Sequence, residues 1–307
     1  QSEVPEGLAN VVAISAGHQH SLALKSDGSL VAWGRNNESQ NDLPSVPEEV
    51  QVAIPCDLGG NTYDCTGECG GDVVYDGCNF CGSPELEAGA DINFECVCDG
   101  DDCLLSCSIE ENCLGMCDSD INDEFCIANE QNNLIGSGWY HNLAINSDGT
   151  VTAWGRNNNQ ESDVPEDLTN VIKVDGGYLY SVALQSNGNI VGWGHNGYGE
   201  LDTPLDLTNA VNVSAGYHHT LALTSDGTVV GWGRNNEGQV DIPTDLTLPG
   251  ISNVVSIASN GYHSLALKSN GTVVAWGHNN RGQTDVPEDL TNVVAISAGS
   301  EYSQALK

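Results

Sequence analysis

Apolar runs of only four to six residues, separated by turn-forming Gly, Asp and Asn, recur along the chain in one fixed order. AVNVS (210–214) leads through Ala215-Gly216-Tyr217-His218 into HTLAL (219–223), and Asp226-Gly227 then precedes TVVGWG (228–233). Such short, β-rich runs without helical periodicity predict β-strands. The Asp-Gly pair predicts a type I′ hairpin turn, with φ > 0 at both positions. A loop of Arg-Asn-Asn-Glu-Gly follows, then a short fourth strand near 239–242, with Pro243 suited to an outer edge because it lacks an N–H. Equivalent hairpin pairs stand at Asp27-Gly28, Asp148-Gly149, Asn187-Gly188 and Asn270-Gly271.

The unit repeats with a 39-residue period. Trp154, Trp193 and Trp232 are each 39 residues apart, Trp276 follows after 44, and Trp33 precedes Trp154 by 121. Second-strand motifs HSLAL, HNLAI, YSVAL, HTLAL, HSLAL and YSQAL keep the same phase. A period of this length without helical periodicity predicts an all-β propeller of four-stranded blades, with a stacked solenoid as the alternative. Residues 1–54 and 133–307 are expected to form the propeller, and 55–132 a cysteine-rich insertion. Five complete units and half of a sixth are visible. The opening QSEVPEGL resembles the tail of a unit, and Gln1 reads as a processed or trimmed start, so the chain is expected to be part of a longer protein.

These residues resemble the regulator-of-chromosome-condensation repeat, and most closely its bacterial secreted versions, which read roughly GYHSLALK-DGTVVAWG. Propeller-type β-lactamase inhibitors belong to that group. The resemblance implies seven blades in an intact ring. It also implies that the face carrying the first loop of each unit makes partner contacts.

Strand alternation places that first loop and the loop after each WG pair on one face, and the hairpins on the other. The first loops carry His18, Trp139, Tyr140, Tyr178, Leu179, Tyr217, His218 and Tyr262; the post-WG loops carry Arg35, Arg156, His195, Arg234, His278 and Arg281. Aromatics with Arg are the composition of protein-binding hot spots. Packing between blades, or pairing of Arg with a local carboxylate, is the alternative role. His20, His141, His219 and His263 head second strands where Tyr180 and Tyr302 stand in the other two units, which favours a structural hydrogen bond over a metal ring. The repeat tryptophans are expected in the core, each with its N–H partnered.

Charge narrows the partners. Eight Lys and Arg against 43 Asp and Glu give a net charge of −35, which argues against nucleic acid, whose phosphates need cations. No apolar run approaches the roughly 18 residues of a membrane span, so no membrane insertion is expected. Most carboxylates are expected on a solvated surface.

All twelve cysteines fall in one segment: Cys56, Cys65, Cys69, Cys78, Cys81, Cys96, Cys98, Cys103, Cys107, Cys113, Cys117 and Cys126. Such an even, dense set predicts disulfides and an extracellular or cell-surface location, with a zinc ribbon on Cys65, Cys69, Cys78 and Cys81 as the alternative. The stretch DCTGECGGDVVYDGCNFCG (64–82) resembles a cysteine-rich module of extracellular microbial proteins. Asp118, Asp120 and Asn122 match the start of a calcium loop, although Asp123 and Asn129 depart from it and an ordinary acidic loop is the alternative. No other cofactor is implied. Asn37 and Asn270 head glycosylation sequons, and Asn212 heads a third inside an expected strand.

No nucleophile elbow, HExxH or phosphate loop occurs, so no enzyme activity is expected. The chain is expected to be an extracellular binding or scaffold module for a protein or glycan, working through the first-loop face and the cysteine-rich insertion. A structural subunit of a filament or adhesin, or an inhibitor of a secreted enzyme, are the alternatives.

Overall fold

The structure, a computed structural model, describes residues 3–44, 97–99, 102–104, 134–249 and 251–307. The described residues are all β apart from one 3-10 turn, Thr244–Leu246. Among the described residues no helix is long and apolar enough to cross a membrane.

Six antiparallel sheets follow one another along the chain. Blade 1 is formed by Val11–Ala16, His20–Lys25 and Leu30–Gly34, and blade 2 by Ile135–Ser137, His141–Ile145 and Val151–Gly155. Blade 3 consists of Val171–Gly176, Tyr180–Gln185 and Ile190–Gly194; blade 4 of Ala210–Ala215, His219–Thr224 and Val229–Gly233. Blade 5 holds Val254–Asn260, His263–Lys268 and Val273–Gly277, and blade 6 the pair Ala295–Ala298 and Ser303–Leu306. First strands of successive blades adjoin, and the second strand of each blade packs on the first strand of the next. This is propeller packing, not a solenoid. Separately, Val97–Asp99 pairs with Asp102–Leu104 within the unit Ala53–Ala128.

Two local expectations change. Each complete blade has three strands, because the segment expected as a fourth is spent on side-chain contacts: Asn235 Oδ1 accepts from the Val240 N–H at 3.0 Å and Gln239 Oε1 from Glu237 N–H at 2.9 Å. The hairpins are not type I′. Only the glycine has positive φ, as at Gly227 (77°). Its N–H donates to the Thr224 carbonyl at 2.9 Å, and Thr224 N–H to the Thr228 carbonyl at 2.9 Å. That is a type I turn followed by a left-handed glycine bulge. Asp226 stays in the right-handed region because its carboxylate caps Thr228.

The core lies between blades. Leu143, Ile145 and Val151 of blade 2 pack with Val171, Val174, Ala183 and Trp193 of blade 3, and Leu168 of the connecting segment seals the cluster. Tyr180, Val182 and Leu184 of blade 3 pack likewise against Ala210, Val213, Ala222 and Trp232 of blade 4, with Leu207. Each blade therefore completes its neighbour's core, as in other repeat folds.

A polar belt reinforces these seams. In one register Ser21, Asn142, Ser181, Thr220 and Ser264 lie opposite Trp33, Trp154, Trp193, Trp232 and Trp276. The hydroxyls of Ser181, Thr220 and Ser264 donate back to the carbonyls of Glu161, Glu200 and Gln239 in the preceding blade, at 2.7–3.0 Å. Trp154, Trp232 and Trp276 give their indole N–H to the carbonyls of Gln40, Glu200 and Gln239, while the Trp193 N–H has no partner among the described residues. His141, His219 and His263 place Nε2 at 2.8–3.0 Å from the hydroxyls of Ser181, Ser264 and Ser303 in the next blade. Since each serine has spent its proton on a carbonyl, the imidazole must donate from Nε2. The strand-heading histidines are thus structural. Ser181→Ala is expected to lower unfolding free energy by about 1–3 kcal/mol, by stranding the His141 N–H; a denaturant midpoint equal to the parent's would refute that role.

Candidate functional site

The two loop sets are built to be rigid. In every complete blade the residue after WG donates its N–H to the first loop of the same blade: Arg35 to Gln19, Arg156 to Tyr140, His195 to Leu179, Arg234 to His218 and His278 to Tyr262, at 2.8–3.0 Å. The next residue is always Asn. Its Oδ1 accepts from the backbone five positions on and its amide donates to an Asp six positions on, as with Asn157, Ser162 and Asp163. First loops are pinned across seams as well, Trp139 N–H to Gly177 and Tyr217 N–H to Gly261. Both loop sets therefore share one end of the blades, as strand alternation requires.

On that end the rings form one continuous surface. His18 stacks on Trp139 at 4.1 Å, Trp139 meets Tyr217 edge-on at 4.6 Å, and Tyr217 stacks on Tyr178 at 4.2 Å. Tyr217 also contacts Tyr262 at 4.7 Å and His218 at 4.5 Å, and Tyr140 contacts Trp139 and Tyr178. Five blades thus contribute to a single cluster. Arg156 lies over the Tyr140 ring at 5.3 Å, and Arg234 lies between Tyr198 and Tyr262 at 5.2 and 5.1 Å, cation–π geometry. Trp139, Tyr140, Tyr178, Tyr217 and Tyr262 are half-buried and His18 is exposed. Burial pushes the Tyr217 phenol above its ordinary value, and neighbouring Tyr178 and Tyr262 add to the shift.

The flanking arginines make polar contacts: Arg35 donates to the Gln19 side chain at 2.6 Å, and Arg281 is 3.9 Å from the Glu301 carboxylate. Asn37 and Asn270 are exposed, the latter in a hairpin at the opposite end, whereas Asn212 is in a first strand and accepts from Lys173 Nζ at 2.6 Å. Asp118, Asp120, Asn122 and ten of the cysteines lie outside the described residues; Cys98 and Cys103 pair by backbone register within the short sheet.

A column of buried side chains escaped the sequence reading. Six residues after each WG glycine stand Gln40, Glu161, Glu200, Gln239 and Gln283, all essentially inaccessible. Each accepts from the N–H two residues earlier. The constant spacing was the available signal. Glu161 lies 3.4 Å from Arg156, so this arginine has the local carboxylate partner as well as its ring. Glu200 Oε1 is 2.9 Å from His195 Nδ1 and 2.7 Å from His218 Nδ1. Burial alone would raise the Glu200 carboxyl; hydrogen bonds from His218, the backbone and His195 outweigh it and hold the group below its ordinary value.

The repeat itself matches a known profile. Residues 11–40, 134–161, 210–239 and 254–283 match the regulator of chromosome condensation (RCC1) repeat, each match running from a first strand to a member of this buried column. In these four stretches the chain is similar to the RCC1 repeat. Protein pim1 of Schizosaccharomyces pombe is 26% identical over 154 residues, half of this chain but only 18% of pim1. Among solved structures, Prp20p of Saccharomyces cerevisiae shares 18% identity at a TM-score of 0.50, over 98% of this chain and 83% of that one. The same yeast RCC1 bound to Kap60 gives 16% and 0.50, covering 97% and 80%; human WBSCR16 gives 14% and 0.54, covering 96% and 74%. These likenesses concern the fold. Within the RCC1 repeat, the ring cluster occupies the first loop and the arginines the loop after WG.

Proposed function

We propose that the chain is a non-enzymatic recognition module that holds a protein partner against the aromatic face of its propeller, in the extracellular space. One observation carries the reading: the unbroken ring surface from His18 through Trp139, Tyr217 and Tyr178 to Tyr262, edged by Arg156 and Arg234. Such rings bring large contact area already ordered by mutual stacking, so docking costs little side-chain entropy. Arg over an aromatic ring presents a planar donor fork to a partner's carboxylates or carbonyls. Structures of the same fold include yeast RCC1 bound to Kap60, which fits a protein-binding use of the scaffold. The extracellular assignment rests on the twelve cysteines between Cys56 and Cys126.

Cross-linking mass spectrometry on intact cells identifies the partner, and titration with it then tests the face. Trp139→Ala with Tyr217→Ala is expected to weaken binding by more than about 2 kcal/mol, roughly 30-fold. Asp148→Ala with Asn187→Ala, in hairpins at the other end, should leave affinity unchanged. Full affinity after loss of both rings would reject the reading.

A further inference from the structure

At the junction of blades 3 and 4 the repeat departs from itself at two coordinated positions. The residue after WG is Arg in blades 1, 2 and 4 but His195 in blade 3. The residue heading the next blade's first-loop end is Gln19, Tyr140, Leu179, Tyr262 or Glu301 elsewhere but His218 here. Both histidines face Glu200, one of two carboxylates in a column otherwise made of glutamines. Among the described residues this is the one place where three His, Cys, Asp or Glu side chains bring ligand atoms within 4.8 Å of one another. His278 of blade 5 shows the ordinary arrangement: its Nδ1 meets the amide of Gln283, not a carboxylate.

We propose that His195, Glu200 and His218 form a site for a divalent transition metal of the zinc class. Two imidazole nitrogens and a carboxylate oxygen are the donor set of such ions, and a poor one for calcium, which takes oxygens. Metal–donor bonds near 2.0–2.2 Å put tetrahedral donors about 3.3 Å apart, so the present contacts of 2.9 and 2.7 Å need to widen only slightly. Without metal, a proton on each Nδ1 fills the same space and donates to Glu200 Oε1. On metal binding each ring turns its Nδ1 lone pair to the ion and carries its proton on Nε2 instead, so the imidazoles stay neutral and Glu200 stays ionised. The Gly197 amide, 3.2 Å from His195 Nδ1, yields its contact in either state. Glu200 Oε2 stays fixed by the Tyr198 N–H at 2.8 Å, which orients the carboxylate as an outer-shell partner would. Three protein donors leave a fourth position for water or for a donor atom from a bound partner. The site adjoins the ring face through contacts of His218 with Tyr217 and Tyr178.

The test uses the full chain and residues that other blades already tolerate. Zn²⁺ is titrated calorimetrically into the parent and into Glu200→Gln and His218→Tyr, which copy Gln239 and Tyr262. Losing even an outer-shell partner of a metal costs about 10–100-fold in affinity, so each variant should lose at least that much and one equivalent of tight binding. Zinc held by cysteines would persist in all three proteins, and Co²⁺ substitution identifies it by thiolate charge-transfer absorption. Circular dichroism confirms that the variants are folded. Equal stoichiometry and affinity in parent and variants, or Co²⁺ spectra with thiolate bands alone, would overturn the assignment, whatever the fate of the partner-binding reading.

Discussion

Gly155→Ala is expected to lower the stability of the propeller by about 3 kcal/mol or more, a fall of roughly 6–12 °C in Tm for a protein of this size. Gly155 ends the third strand of blade 2 with φ of 103°, outside the range that side chains readily adopt. A Cβ built there would stand 2.7 Å from the Tyr140 carbonyl oxygen, 2.9 Å from His141 Cα and 3.3 Å from Gln40 Cα. All three are backbone atoms, so no rotamer change relieves the overlap. Tyr140 O is also the acceptor that fixes Arg156, and displacing it disturbs the cation–π pair on the ring face. Gly7→Ala separates the two components. Gly7 has φ of 77° but open space around a Cβ, so it should cost only about 1 kcal/mol, the local conformational penalty. Equal melting shifts for the two variants would show that the close approach of the WG glycine to the neighbouring loop is unimportant.

That close approach explains why the architecture is legible in the chain. Tryptophans recur 39 residues apart because each faces a neighbouring blade, and Trp154, Trp232 and Trp276 give their N–H to the previous blade's Gln or Glu carbonyl. Strand alternation likewise places His18, Trp139, Tyr178, Tyr217 and Tyr262 on one end without any knowledge of their contacts. Local choices proved harder. Asp226-Gly227 serves either a type I′ turn or a type I turn with a glycine bulge, and the hydroxyl network of Thr224 and Thr228 decides for the latter. Burial of polar residues was hidden for a different reason. Glu161 and Glu200 sit in loops that look solvated, and the covering atoms come from the following blade. Asp175 shows the same effect in a strand: it accepts from the N–H groups of Gly176 and Ala215 and from Ser214. Burial raises its pKa despite those bonds, and it lowers that of Lys173 nearby.

Acidification from pH 6.5 to 5 is expected to weaken the fold through the strand-heading histidines. Burial, with the charges of His20 and Arg156 adding to it, holds His141 down to about 3, and burial with His278 holds His263 at about 4. The hydrogen bonds explain why. Nε2–H is committed to a serine oxygen, and a second proton would have to sit on Nδ1, which is enclosed without an acceptor in His20, His141 and His263. The unfolded chain takes up a proton near pH 6.5 while the folded one does not, so stability is complete above that value and declines as pH falls toward the folded pKa. For His141 the loss at pH 5 is about 2 kcal/mol, with similar contributions from His263 and from His219, which burial holds at about 3, and the same sign from His20. The net charge of −35 acts oppositely, because protonating carboxylates relieves repulsion, but ordinary carboxylates titrate mostly below pH 5. Urea unfolding between pH 5 and 7 therefore isolates the imidazoles. His141→Gln, His219→Gln and His263→Gln together keep donors toward Ser181, Ser264 and Ser303 yet cannot titrate, and should remove most of the slope. An unchanged slope in that variant would mean that these rings carry their second proton inside the fold, against the enclosure of Nδ1.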